Sequence, residues 1–264
     1  MFGYMGSVLR VNLTKQRFST QNLQEDLVRK FVGGNGFGIT FLFREVGKHV
    51  DPLAPENKLI FATGPLTGTS IPVAVEFGVF AKSPLTGHLG ESYSSGFFAP
   101  QLKRSGYDAL IIEGRASKPV YLRIVDGDVR LEGAEDLWGR DCWETEEILR
   151  REEASKGSGV LTIGPGGENM VRFACVTSDF YRQAGRTGMG AVMGSKRLKA
   201  IVVKGSKEVE VAKPVELEDF VKEWTRKVLK SPKMKELRAY GTPSLVILEN
   251  ELGVMPTRNW RESL

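Results

Sequence analysis

The residues with most chemical character fall in one stretch, "YRQAGRTGMGAVMGSK" at 181–196. It sets Arg182 and Arg186 beside Gly185, Gly188, Gly190 and Gly194, and closes on Lys196. Glycine lets backbone approach a ligand closely, and successive N–H groups can form a nest for anionic oxygens. A guanidinium grips phosphate through two parallel hydrogen bonds. Taken alone, the stretch could equally be a surface turn with solvated arginines. Three more glycine loops shift the balance: "ATGPLTG" (62–68), "AKSPLTGHLGESYSSGFF" (81–98) and "TIGPGGEN" (162–169) each follow an apolar run. Loops of this kind at strand ends can converge on one extended ligand with more than one phosphate. "FVGGNGFG" (31–38) has glycine spacing like a dinucleotide fingerprint but follows a helical pattern, which is the wrong context. No GxxxxGK[ST], Ser-His-Asp or paired-carboxylate motif accompanies these loops. The chain reads as equipped for binding and poorly equipped for acid–base chemistry of its own.

Composition narrows the class. The chain has 264 residues, 41% hydrophobic and 26% charged, which suits one large folded domain or two smaller ones. No apolar run reaches the roughly 18 residues a membrane span requires. The N-terminus lacks a basic segment followed by an apolar core, so the expected location is the cytoplasm. Cys142 and Cys175 show no CxxC or Cys/His spacing, which argues against a disulfide framework, a zinc site or an iron–sulfur cluster held by this chain alone. Cys175, in "RFACVT", reads as a buried strand residue. His49 and His88 are isolated. Net charge is +5, and residues 181–207 carry Arg182, Arg186, Lys196, Arg197, Lys199, Lys204 and Lys207 with no acid. Such a block could bind a polyanion, but Tyr181 is its only aromatic residue, which disfavours nucleic acid.

The elements that must position these loops alternate between strands and helices. "SVLRVNLTKQRFSTQ" predicts a hairpin turning near Thr14–Gln16. "NLQEDLVRKFVGG" predicts a helix, with Asn22 and Glu25 as a capping box and Gly33 as its stop. A second helix, "GITFLFREV", should follow the loop "GGNGFG". Strands are expected at "KLIFATG", "EFGVFAKS", "ALIIEG", "PVYLRIV" and "VRLEG", the last two joined by an Asp126-Gly127 turn. The helix "CWETEEILRREE" takes Asp141 as N-cap, and "GVLTIG", "VRFACV" and "AIVVKG" supply three more strands. "GYDALIIEGRASKPV" echoes "KRLKAIVVKGSKEVEV", and "IFATGPLTG" echoes "VLTIGPGGE"; two similar halves would pack about a pseudo-twofold axis. Beyond a boundary near residue 210 the pattern turns helical, with Phe220, Val221, Trp224, Val228 and Leu229 on one stripe. The fold class is therefore α+β: two mixed β-sheets related by internal duplication, with flanking helices and a short helical segment after them.

These same blocks carry a family resemblance. "DPLAPENKLIFATGPLTGT", "FAKSPLTG", "GYDALIIEGRASKPVYL", "LWGRDCWETE", "TIGPGGEN" and "GRTGMGAVMGSKRLKAIVVKG" closely resemble the N-terminal domain of the aldehyde ferredoxin oxidoreductases. The resemblance implies a tungsten (or molybdenum) bis-molybdopterin cofactor whose two phosphates are bridged by magnesium. It implies cofactor contacts at Tyr93, Ser95, Arg182, Gln183, Gly185 and Arg186, with the Tyr93 and Gln183 backbone carbonyls on the magnesium. Glu76 departs from the pattern, standing where relatives carry a basic residue near the pterin; a carboxylate there repels an anionic cofactor. Residues 1–210 would be the tungstopterin-binding domain and 211–264 the beginning of a helical second domain. The family's [4Fe–4S] cysteines and substrate-lining helices lie outside this chain, and no catalytic acid or base is expected within it. The full enzyme would oxidise aldehydes and pass electrons to ferredoxin, as a homodimer or with a partner subunit. A non-catalytic pterin- or anion-binding subunit completed by a partner chain is the alternative.

Overall fold

The computed structural model describes residues 1–151 and 157–262. Contacts divide the chain into two units, Met1–Ala212 and Lys213–Leu264.

In the first unit, strands β1 (Ser7–Asn12), β2 (Arg17–Asn22), β3 (Leu59–Ala62), β4 (Phe77–Lys82), β5 (Leu89–Ser94) and β6 (Ala109–Glu113) form a mixed sheet in the order β2-β1-β6-β3-β4-β5. Strands β7 (Val120–Val125), β8 (Asp128–Gly133), β9 (Gly159–Thr162), β10 (Val176–Ser178), β11 (Arg182–Ala184) and β12 (Leu198–Lys204) form a second, in the order β11-β10-β9-β12-β7-β8. Read from the opposite edge, the second order repeats the first strand for strand. The pairing senses repeat as well: β1–β6 and β7–β12 are parallel, and every other pair is antiparallel. The echo between 106–120 and 196–211 thus corresponds to β6 and β12, the strands at equivalent central places in their sheets.

Helices complete the repeat. Helices α1 (Glu25–Phe31) and α2 (Asn35–Glu45) follow the first hairpin, and α4 (Cys142–Arg151) follows the second. Helix α3 (Phe98–Arg104) joins β5 to β6, and α6 (Met189–Ser195) joins β11 to β12. A short helix α5 (Pro165–Glu168) follows β9. Helix α3 packs on β9 and β12 of the opposite sheet, while α6 reaches β3, β4 and β5. The edge strands β5 and β11 lie against each other. This reciprocity is what a two-fold relation demands.

Strand alternation separates one central core from two outer ones. On β6, Leu110 and Ile112 face the centre with Phe61, Phe98, Leu161, Val192 and Ile201. Ala109 and Ile111 face outward, against Leu27 of α1 and Phe37, Phe41 and Leu42 of α2. In the second sheet Val160, Ala200 and Val202 turn outward against Leu149 of α4. Each fully buried side chain of this size contributes about 1.5–3 kcal/mol.

Several local expectations give way to tertiary contacts. Asn22 ends β2 instead of capping a helix, Leu23 N–H donates to Gly6 O, and α1 begins after Gln24 without a side-chain cap. Its stop is Val32, at φ 61°, not Gly33. The loop expected at "GGNGFG" is mostly the first turn of α2, where a Cβ on Gly38 would lie 2.1 Å from the Phe80 ring. "VRFACV" is not one strand: β10 starts at Val176, Phe173 is exposed and Cys175 is half-buried. Helix α4 is described to Arg151; residues 152 and 153, also expected in it, lie outside the described residues. Asp141 does cap it, Oδ1 accepting Glu144 N–H at 2.8 Å, and the Asp126-Gly127 turn has φ 47° and 89°. In the stretch 181–196, Gly190 and Gly194 serve packing: a Cβ on them would lie 2.2 Å from Cys175 O and 1.9 Å from Gly167 O.

Two lysines of the basic block are not on the surface, while Arg182, Arg186, Arg197 and Lys207 are exposed. Lys196 and Lys199 are fully buried. Lys196 Nζ donates to Asn57 O at 2.5 Å and to Pro55 O and Gly114 O at 3.2 Å. Lys199 Nζ donates to Arg140 O at 2.7 Å and Ile163 O at 2.8 Å and pairs with Glu168. Neither amine can meet a polyanion.

The second unit holds α7 (Pro214–Lys230), α8 (Pro232–Tyr240), a 3₁₀ turn at Thr242–Leu245 and α9 (Val246–Glu251). None of these helices buries a residue, and Phe220 and Trp224 of the expected stripe are exposed. Among the described residues no helix is long and apolar enough to cross a membrane.

Burial, with Lys58 and Arg115 nearby, pushes Lys196 down from 10.5 to about 7. Below the lower value the amine is charged whether folded or unfolded. Between the two values the unfolded chain holds a proton that the folded one has released, so stability rises with pH across that window. Lys196→Met removes this increment. The wild-type minus variant difference in Tm, measured by calorimetry at pH 6 and pH 9.5, should become more positive at the higher pH; a constant difference overturns the assignment.

Candidate functional site

Strand register fixes which residues of the two halves are equivalent. Across the first sheet, cross-strand partners run Val8, Ala109, Ala62, Gly78, Tyr93. Across the second they run Tyr121, Ala200, Thr162, Thr177, Gln183. Tyr93 and Gln183 therefore hold the same place on their edge strands. Two residues before Gly78 and Thr177 stand Glu76 and Cys175, which are likewise equivalent.

Each half builds a pocket at this row. The first, about 340 Å³, is lined by Gly34 at the start of α2, Gly64 and Pro65 after β3, and Glu76, Gly78 and Tyr93. The second, about 480 Å³, is lined by Asp141 and Cys142 at the start of α4, Gly164 and Pro165 after β9, and Cys175, Thr177 and Gln183. The correspondence is element for element. Each pocket places a helix N-terminus, with its partial positive charge, beside a Gly-Pro loop.

Between the two lies a third concavity of about 390 Å³, at the seam of β5 and β11. Glu76, Tyr93, Ser94, Ser95, Tyr181, Arg182 and Gln183 line it. Four of the contacts implied by the resemblance, Tyr93, Ser95, Arg182 and Gln183, thus share one cavity with Glu76. Gly185 and Arg186 are not in its lining: Arg186 N–H donates to Ser92 Oγ at 2.9 Å while its side chain is exposed. Arg182 Nη1 donates to Ser95 Oγ at 2.9 Å and its guanidinium lies 6.0 Å from the Tyr181 ring. Tyr93 Oη donates to Glu91 at 3.1 Å; burial and that carboxylate push its phenol up to about 12, so it stays protonated. The exposed Glu76 carboxylate has no hydrogen-bond or ion-pair partner among the described residues.

The donor set suits an anionic ligand. Ser94 Oγ is buried on the cavity wall and has no hydrogen-bond partner among the described residues, a state that costs free energy until a ligand supplies one. Arg182 adds a fixed charge, and the edge strands β5 and β11 bring two backbones to the same cavity. Arg182 and the serines fit an anionic group such as a phosphate.

One buried carboxylate sets the seam. Asp179 Oδ2 accepts the Phe97 N–H at 2.6 Å, and Oδ1 accepts Arg150 Nη2 at 2.5 Å. Arg150 Nε also donates to Glu146 at 2.7 Å, and Glu146 accepts Phe180 N–H at 2.7 Å. Helix α4 thereby holds the β10–β11 turn, in which Asp179 and Phe180 adopt φ 48° and 67°. That turn delivers Tyr181 and Arg182 to the cavity. Sequence reasoning missed Asp179, Glu146 and Arg150; the i,i+4 spacing of Glu146 and Arg150 was the only available signal.

Chain similarity now bears on this geometry. A family model described as "Aldehyde ferredoxin oxidoreductase, N-terminal domain" matches residues 8–205. The chain belongs to the aldehyde ferredoxin oxidoreductase family. A tungsten-containing aldehyde ferredoxin oxidoreductase from Pyrococcus abyssi is 49% identical over 262 residues, covering 99% of this chain and 43% of that protein. An aliphatic sulfonate oxidoreductase, WOR-like subunit, from Pyrococcus furiosus is 36% identical over 279 residues, covering 99% of this chain and 44% of that protein. The solved active site complex BamBC of benzoyl coenzyme A reductase, with 1,5-dienoyl-CoA, superposes with TM-score 0.83 at 37% identity, covering 86% of this chain and 35% of that one. The chain thus spans less than half the length of the family members it matches.

Gly96, at φ 125°, lets the β5–α3 loop pass Asp179: a Cβ there would lie 2.0 Å from its carboxylate. Gly96→Ala should lower stability by about 2–4 kcal/mol through this clash and the strained φ. Hydrogen exchange at residues 179–184 should rise with it. A variant with unchanged denaturation midpoint and exchange overturns the role given to Asp179.

Proposed function

We propose that this chain is the cofactor-seating N-terminal portion of a tungsten (or molybdenum) bis-molybdopterin aldehyde:ferredoxin oxidoreductase. Residues 1–210 form the tungstopterin-binding domain and 211–264 begin the helical second domain. The observation that carries the reading is the pair of equivalent pockets meeting at one cavity, with Tyr93 and Gln183 in equivalent register. A cofactor of two like pterins needs two like seats, and its phosphates need a common centre.

In this reading the first pocket takes one pterin and the second takes the other. Arg182 and Ser95 hold phosphate oxygens, with Gly185 and Arg186 on the adjoining turn. The Tyr93 and Gln183 backbone carbonyls would hold magnesium. When bound, the metal–dithiolene centre supplies two-electron chemistry for conversion of an aldehyde to a carboxylic acid, with electrons leaving through a [4Fe–4S] cluster to ferredoxin. This chain's residues do not move protons; they fix position and offset charge in advance. The Tyr93 phenol, held protonated and donating to Glu91, brings no charge. Glu76 opposes phosphate charge at the rim of the first pocket. Relatives at 36–37% identity carry names of different reactions from those at 44–49%. Aldehyde oxidation follows the higher identities. The alternative of a non-catalytic subunit is not favoured, because the matching relatives carry this segment within longer oxidoreductase chains.

Tungsten and phosphorus content test the reading. The full-length protein, purified from cells supplied with tungstate, should retain one metal and two phosphorus atoms per chain. Arg182→Ala should lower that retention about tenfold, the effect of one charge-assisted hydrogen bond. Wild-type protein free of both elements, or an Arg182 variant that retains them fully, overturns it.

A further inference from the structure

A fourth concavity shares no lining residue with the three described above. It measures about 380 Å³ and sits between the end of α2 and the β4–β5 hairpin. Leu42, Phe43, Val46 and Leu89 line it with apolar surface, and Lys48, Lys82 and His88 line it with basic groups. Lys82 pairs with Leu89 at the hairpin, about 14 Å along β4 from the Gly78–Tyr93 pair of the cofactor row. Leu42 is buried, whereas Phe43 is 85% exposed and Leu89 41%. Two large apolar side chains thus stand in water around a hollow.

We infer that this pocket binds a small organic monocarboxylate with an apolar tail, of the size of octanoate. The volume lies near the lower end of the ~300–1,000 Å³ usual for ligand sites, which favours a small molecule over a coenzyme. Lys82 Nζ gives one of its three donors to Lys48 O at 2.6 Å, which holds the ammonium at the pocket with two N–H groups left over. Among the described residues no Asp or Glu lines the pocket. Glu45, the acid of α2, is taken up by Arg10 at 2.5 and 2.9 Å. Helix α2 ends here, and its C-terminal partial charge of about −0.5 opposes an anion; two lysine charges outweigh it. The lining offers no guanidinium, and the Gly87 and His88 N–H groups are given to Ser83 O and Thr86 Oγ1. A carboxylate therefore suits the pocket better than a phosphate, which is gripped by arginine forks and nests of free N–H groups. The carboxylate takes charge-assisted hydrogen bonds from the lysines, and the tail covers Phe43 and Leu89.

The site uses none of the seats assigned to the cofactor, so it stands or fails separately from the reading above. The full-length protein is titrated with octanoate by calorimetry, and one saturable site per chain is expected. Octanol, which lacks the charge, and butanoate, which lacks most of the tail, should each bind at least tenfold more weakly. Lys82→Gln keeps a donor for Lys48 O but removes the charge, and should weaken octanoate binding about tenfold. Phe43→Ala, at an exposed position, should do the same with an unchanged Tm. Should Lys82→Gln fold poorly, Lys48→Gln, also exposed, takes its place with the same expected loss. No octanoate uptake, equal binding of octanol, or binding that survives these substitutions overturns the assignment. So does self-association in sedimentation that Phe43→Ala abolishes and octanoate leaves unchanged, which would give the face to a second copy of the chain.

Discussion

The Asp179 carboxylate is the contact on which the rest of the site depends. One oxygen takes the backbone N–H that follows β5, and the other takes an arginine from α4. It therefore ties the edge of the first sheet to the turn at the edge of the second. That tie works with the Arg182–Ser95 and Arg186–Ser92 hydrogen bonds to hold β5 beside β11, since the two strands belong to separate sheets. The group is nearly buried, and removing one partner from a buried ion pair costs about 3–5 kcal/mol. The strained φ values at Asp179 and Phe180 persist because α4 holds them from below.

The duplicated frame has diverged most where charge is buried. Asp108 and Lys199 hold the same place, immediately before the alanine that pairs across the sheet, yet carry opposite sign. Asp108 pairs with Lys103 at 2.7 Å and accepts from the N–H groups of Met5, Gly6 and Ser7. Lys199 pairs with Glu168 and donates to carbonyls. Each anchors the terminus or loop that crosses its end of the sheet. The strand order survived while the local polar solution was reinvented.

Sequence pattern made much of this frame legible. The echo around β6 and β12 pointed to duplication because central strands are apolar on both faces and tolerate little change. The Asp126-Gly127 turn and the Asp141 cap were readable because each depends on a few adjacent residues. What failed depended on distant partners. Asn22 looked like a cap until Gly6 claimed the next residue, and the glycines of α2 looked like a loop until Phe31 and Phe80 required their bareness. Lys196 and Lys199 looked like surface charge because carbonyls from remote loops cannot be seen in a local window. At the cavity, residue type and spacing pointed to Arg182, and the family resemblance added Tyr93, Ser95 and Gln183, which lie with it; neither gave a hint of the orphaned Ser94 hydroxyl.

Glu76 and Cys175 sit at matched positions on pockets that are otherwise built alike. A guest made of two identical halves therefore meets a carboxylate on one side and a thiol on the other. Symmetry in the host's skeleton and asymmetry in its lining together assign each half a distinct electrostatic setting, so that two chemically equal ends become unequal on arrival.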